Sequence, residues 1–161
     1  MNRKGFTMIE LLATLLILSV VIGITVYSLS SIFSKTKEKT EDVFLGTIKD
    51  SLDIYLTSSN AKSLNFNITC SNVLKKTYGD VSVYKAVTTF QAVIDSEYKP
   101  ITQDELFNPA REDLTCNNAY NIPIEIYRDS NYVYYYSVSK DSLGCLTSSG
   151  VISNLPEGFV C

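Results

Sequence analysis

The 161-residue chain has no histidine. That removes the commonest general base, the commonest metal ligand and any Ser/His or Cys/His nucleophile pair. The acidic residues are scattered, with no spacing that suggests a catalytic carboxylate pair. Charge is also scarce, at 19% of residues against about 25% in average globular chains. The deficit is local: between Phe6 and Phe33 only Glu10 is charged, and the other charges lie in the first five residues and from Lys35 onward. No basic patch stands out, and the net charge of -3 becomes more negative once Arg3 and Lys4 are set aside. Nucleic-acid binding through counterion release is therefore not indicated.

Close cysteine pairs are missing too. Cys70, Cys116, Cys145 and Cys161 contain no C-x-x-C unit, which argues against a zinc site and for disulfides formed in an oxidising compartment. All four lie beyond the apolar amino-terminal run, as expected if that part of the chain is exported. No metal or other cofactor is implied. Asp95, Glu97, Asp104 and Glu105 offer oxygen ligands but no calcium-loop signature and read as a solvated acidic face.

What is present begins with an apolar run from Leu11 to Phe33, interrupted between Leu11 and Tyr27 only by Thr14, Ser19, Gly23 and Thr25. About 20 apolar residues suffice for a helix to cross the hydrocarbon core. The polar side chains among the four can hydrogen-bond back to the helix, and small residues allow close helix packing. The run exceeds a signal-peptide core, and no A-x-A cleavage pattern follows it. Helical periodicity then continues. Phe44, Ile48, Leu52 and Tyr55 recur every third or fourth position, with Leu45 and Leu56 beside them, giving an amphipathic stripe expected to dock on a folded head. A continuous helix from Phe6 to Thr57 would be on the order of 78 Å long at 1.5 Å per residue, so its distal part must extend beyond the bilayer. Ser58-Ser59-Asn60 ends the pattern.

Beyond it, Leu64 to Cys70 reads as extended, and Val81 to Ile94 fits strand or helix. Thr102 with Glu105 forms a capping-box pattern for a short turn that Pro109 ends. The clearest strands are Ile122–Tyr127 and Tyr132–Ser139, which alternate with period 2 around the polar turn Arg128-Asp129-Ser130-Asn131. Leu143–Thr147 and Val151–Asn154 suggest a second hairpin through Ser148-Ser149-Gly150. The tyrosines at 132, 134, 135 and 136 fit cross-strand packing better than a ligand-stacking face.

The segment Lys4-Gly5-Phe6-Thr7-Met8-Ile9-Glu10-Leu11-Leu12 resembles the processing site of type IV prepilins and the related pseudopilins. The resemblance implies an α+β fold: a long amino-terminal helix, half membrane-spanning and half amphipathic, packed on a small antiparallel β-sheet head. It implies a leader at 1–5, a membrane or filament-core helix at 6–33, an amphipathic continuation at 34–58 and a head at 59–161. It further implies cleavage by prepilin peptidase between Gly5 and Phe6 and N-methylation of Phe6. Assembly would then occur through Glu10, paired with the amino terminus of an adjacent subunit, with Thr7 adding a hydrogen bond. The implied partners are copies of the chain, other pilins, the peptidase, the assembly machinery and, before assembly, the cytoplasmic membrane; the finished filament is extracellular. Four cysteines allow three pairings; by resemblance to pilins that staple a carboxy-terminal loop, Cys145 pairs with Cys161, leaving Cys70 for Cys116. The chain departs from many pilins in having no proline near Thr25-Val26-Tyr27 and Ser19 in place of a glycine. A pseudopilin of a secretion or DNA-uptake system shares the same amino terminus. An uncleaved single-pass protein with a ligand-binding head is the rival from another class.

Overall fold

The computed structural model describes residues 7–70, 82–111, 113–157, 159 and 161. It divides into two compact units, 1–39 and 40–161. The first helix, α1 (Met8–Thr57), contributes to both.

In the first unit, every described side chain from residue 7 to residue 39 is exposed. The polar hydroxyls within the apolar run are satisfied locally. Thr14 donates to the Leu11 carbonyl, Ser19 to that of Leu16, and Thr25 to those of Val21 and Ile22. This is the arrangement required where no water is present to accept a proton.

The second unit is built on a five-stranded antiparallel sheet in simple meander order. Its strands are β1 (Ile68–Cys70), β2 (Val83–Thr89), β3 (Pro123–Asp129), β4 (Tyr134–Ser139) and β5 (Val151–Ser153). Short helices α2 (Ser59–Lys62), α3 (Gln91–Ile94) and α4 (Lys140–Leu143), with a 3-10 turn at Ala119–Asn121, complete the framework. The amphipathic stripe docks as its periodicity implies. Phe44, Ile48, Leu52, Tyr55 and Leu56 share one buried cluster with Ile124, Ile126, Tyr136, Val138 and Ile152 from the inner face of the sheet. Complete burial of a side chain such as Ile48 or Leu52 contributes roughly 1.5–3 kcal/mol. The first buried residue of α1 is Glu41. Its carboxylate accepts from the Thr147 hydroxyl at 2.8 Å and the Thr147 amide at 3.3 Å, the donors a buried acid needs.

The outer face carries a second cluster of Cys70, Val83 and Tyr127, with Tyr135, Leu155 and Phe159 packed on it. Here Lys85 bonds Glu125 at 2.6 Å, the Tyr127 hydroxyl donates to the same carboxylate at 2.6 Å, and Phe159 meets the Tyr127 ring edge-on at 4.9 Å. Burial pushes the Glu125 carboxyl up, but the bonds from Lys85 and Tyr127 and the lysine charge outweigh it and leave it below its ordinary value. β5 and β1 lie at opposite edges of the sheet. The tail that follows β5 packs Leu155 and Phe159 on the outer face and ends with Cys161 bonded to Cys70 of β1. It therefore crosses the whole sheet as a strap. Five strands span roughly 19 Å between edge axes, within reach of the tail at about 3.3 Å per extended residue.

The expected disulfide pairing is corrected: Cys70 bonds Cys161, and Cys116 bonds Cys145. The sheet itself decides this. Cys116 and Cys145 belong to the inner cluster, whereas Cys70 belongs to the outer one, so Cys70 and Cys116 are on opposite sides of a β-layer.

Other expectations shift in detail. α1 ends at Thr57, but Ser58 caps a further turn, α2, by accepting from the Ala61 amide. Of the 64–70 stretch only Ile68–Cys70 is strand. Within 82–94 both readings hold, strand for Val83–Thr89 and helix for Gln91–Ile94, while Val81 lies outside the described residues. The Thr102–Glu105 capping box forms around one turn. The main hairpin forms with its turn displaced toward the carboxy terminus, pairing Arg128 with Tyr134. The cause is Asp129, whose buried carboxylate accepts from the amides of Asn131 and Val133. The second expected hairpin does not form: Leu143 ends α4, and β5 pairs with β4 instead. Gly144, at φ +78, redirects the chain. Cys145 is tied to Cys116, and Thr147 to Glu41.

Candidate functional site

The site is built around the first turn of α1. Thr7 precedes the helix, and its carbonyl accepts from the Leu11 amide at 3.2 Å. The Thr7 amide donates to Glu10 Oε2 at 3.0 Å, and the Thr7 hydroxyl to the same oxygen at 2.9 Å. In return the Glu10 amide donates to Thr7 Oγ1 at 3.3 Å. This is a capping box: two amides that would otherwise lack a helical partner are satisfied reciprocally. An acid in this turn is also favoured by the positive end of the helix dipole.

None of these bonds uses Glu10 Oε1. Among the described residues the carboxylate is thus bonded through one oxygen only. Around it the helix surface is uniformly apolar and exposed, with Met8 at 82% and Ile9 at 76%. The helix is long and apolar enough to cross a membrane.

Of the residues expected to matter, the structure brings Thr7 and Glu10 together. Gly5 and Phe6 lie outside the described residues. The Thr-x-x-Glu spacing that marks a capping box at Thr102–Glu105 also occurs at Thr7–Glu10, and there it passes unread in the sequence because the acid draws attention as an intersubunit group. In the head, the Glu105 carboxylate is committed to Thr102, and Asp95 accepts from Gln91. Among the described residues no three His, Cys, Asp or Glu side chains converge as a metal site would require.

Residues 1–26 match the family model described as the prokaryotic N-terminal methylation motif. This motif marks the type IV pilin and pseudopilin family. Over those residues the chain is similar to type IV pilins and pseudopilins, which are normally non-enzymatic structural subunits. Its long apolar helix and five-stranded antiparallel sheet make an α+β pilin-like fold. No curated protein and no solved structure matches the chain.

Proposed function

We propose that this chain is a structural subunit of a type IV pilus, polymerised through its amino-terminal helix. Prepilin peptidase removes residues 1–5 by cutting between Gly5 and Phe6, and Phe6 is then N-methylated. Residues 6–33 hold the subunit in the cytoplasmic membrane and later form the filament core. Residues 34–58 continue the helix, and 59–161 form the head on the extracellular filament surface. The pilus assembly machinery, sibling pilins and further copies of the chain are the partners.

The observation that carries this reading is the lone carboxylate of Glu10 in the first turn of a helix whose described apolar side chains from Met8 to Phe33 are all exposed. A charge in such surroundings is costly unless it is paired or protonated. A freshly cut chain supplies the pair. Its α-amino group has a reference pKa of about 8 and is cationic at neutral pH. Glu10 Oε1 is the acceptor for the ammonium of the next subunit, and Thr7 holds the carboxylate through Oε2. In a low-dielectric bundle this contact sets axial register.

Glu10→Gln separates the two roles of the residue. The amide oxygen still accepts from Thr7, so the capping geometry survives, but the negative charge is gone. With the peptidase co-expressed, the mature mass of the variant should show loss of residues 1–5, while filament yield collapses. Filaments at the normal yield from Glu10→Gln would remove the ion pair from the mechanism.

A further inference from the structure

The tip of the β3–β4 hairpin holds a residue in an unfavourable backbone conformation. Tyr132 has φ 63, a left-handed value that suits glycine or asparagine and strains a tyrosine. Its side chain is 71% exposed, so core packing does not hold it there. The ring instead lies with its centroid 5.3 Å from the Arg128 guanidinium carbon. The rings of Phe66 and Tyr84 flank the same guanidinium at 4.5 Å and 5.8 Å. The strand register builds this cage, because Arg128 is directly opposite Tyr84 on one side and Tyr134 on the other. Phe66 closes it, meeting Tyr134 edge-on at 6.0 Å.

Arg128 is half-buried, yet among the described residues its guanidinium makes no hydrogen bond or ion pair. The adjacent carboxylate, Asp129, alternates to the other face of β3, where its Oδ1 accepts from the Asn131 and Val133 amides. Aromatic contacts satisfy the faces of a guanidinium and leave the N–H donors at its edge without acceptors. That edge matches a carboxylate, which it can grip with two parallel bonds.

We propose that Arg128 and Tyr132 form a binding site for a carboxylated saccharide, a uronic or sialic acid residue. The guanidinium edge takes the carboxylate, and the exposed rim of the Tyr132 ring packs beside the sugar. A carboxylated pyranose carries a carboxylate and apolar C–H groups on one small ring. A nucleic-acid strand fits less well. It requires a run of cations along its backbone, whereas Arg128 is the single cation of this cluster among the described residues, in a chain of net charge -3. The proposal does not depend on how the amino-terminal helix assembles.

The test uses the full-length chain in detergent micelles, titrated by calorimetry with trigalacturonic acid, 3′-sialyllactose, lactose and oligothymidylate. At least one acidic saccharide should bind, at least tenfold more tightly than lactose or oligothymidylate, and which one binds identifies the acid. Tyr132→Gly and Arg128→Gln should each weaken that binding about tenfold or more, equivalent to about 1.4 kcal/mol. Tyr132→Gly and Tyr132→Asn should also keep or raise the melting temperature, because they relieve the backbone; a merely structural tyrosine would lower it. The site is overturned by equal binding of lactose, by preference for oligothymidylate, by unchanged affinity in Tyr132→Gly, or by no binding of either acid at millimolar concentration.

Discussion

Removing the strap's anchor should cost this protein more than removing its other disulfide. The perturbation is the pair Cys70→Ser and Cys161→Ser, compared with Cys116→Ser and Cys145→Ser. The two bonds close sequence separations of 91 and 29 residues. The chain-entropy relation assigns them about 4.6 and about 3.6 kcal/mol, through restriction of the unfolded chain. The first removal also frees a tail whose Leu155 and Phe159 cover the outer cluster, which widens the difference. Domains of this size have total stabilities of about 5–15 kcal/mol, so either loss is a large fraction of the whole. At about 3–6 °C per kcal/mol, midpoints should fall by roughly 10–20 °C for the Cys116/Cys145 variant and further for the Cys70/Cys161 variant. The measurement is near-UV circular dichroism of the full chain in micelles, without reductant. A companion experiment alkylates the single variant Cys161→Ser and maps the labelled peptide. Cys70 should carry the label. A label on Cys145 would mean that the sheet does not separate the pairs, and a smaller loss for the Cys70/Cys161 variant would refute the strap.

Two further expectations concern the head. Gly144 needs its φ of +78, and a Cβ there would sit 2.9 Å from Asn117 Nδ2, the group that donates to the Ser142 carbonyl. Gly144→Ala should therefore cost about 2–3 kcal/mol in urea denaturation, from backbone strain plus a lost hydrogen bond. Adding Asn117→Ala should cost less than its separate effect implies; strict additivity would show that the two residues do not meet. Asp53 is raised by burial first and by the Asp50 charge second, against a hydrogen bond from Asn154 and the charge of Lys49. The folded chain thus holds this proton more tightly than the unfolded chain does. The stability it contributes is full below the unfolded pKa of about 3.9 and is lost as pH rises through the folded value. Asp53→Asn should melt higher than the native chain at pH 7 and show no advantage at pH 3, and a variant that melts lower at pH 7 contradicts the assignment.

Periodicity made the helix and the main hairpin legible. An apolar side chain at every third or fourth position can face only one way from a helix, so Phe44, Ile48, Leu52 and Tyr55 announced the docked stripe. The alternation of Ile122, Ile124 and Ile126 likewise announced a strand with one buried face. The turn was less legible because it depends on a single side chain: Asp129 captures two amides and moves the reversal further along the chain. The disulfide pairing was illegible for a stronger reason. It depends on which side of the sheet each cysteine occupies, and that follows from register and from the path of the tail, neither of which leaves a local pattern. The failed hairpin at 143–154 has the same origin, since long-range ties from Cys116 and Glu41 claim the segment first. At the amino terminus, the lone acid in an apolar run was plain from the sequence. Its capping bond to Thr7 went unread, although the Thr-x-x-Glu spacing carries it. The cage around Arg128 was not, because Phe66, Tyr84 and Tyr132 reach it only once three separate pieces of chain are aligned.

At one rim of the head's sheet, β5 is three residues long. A bare strand edge is a template, and its danger grows with the local concentration of identical copies. In a fibre that sets the same head beside its twin at every step, long rims would knit neighbouring heads into a cross-linked mat. A margin this brief offers too few amides and carbonyls to begin such a seam. In the proposed filament a brief β5 edge would therefore help crowded heads to stay separate.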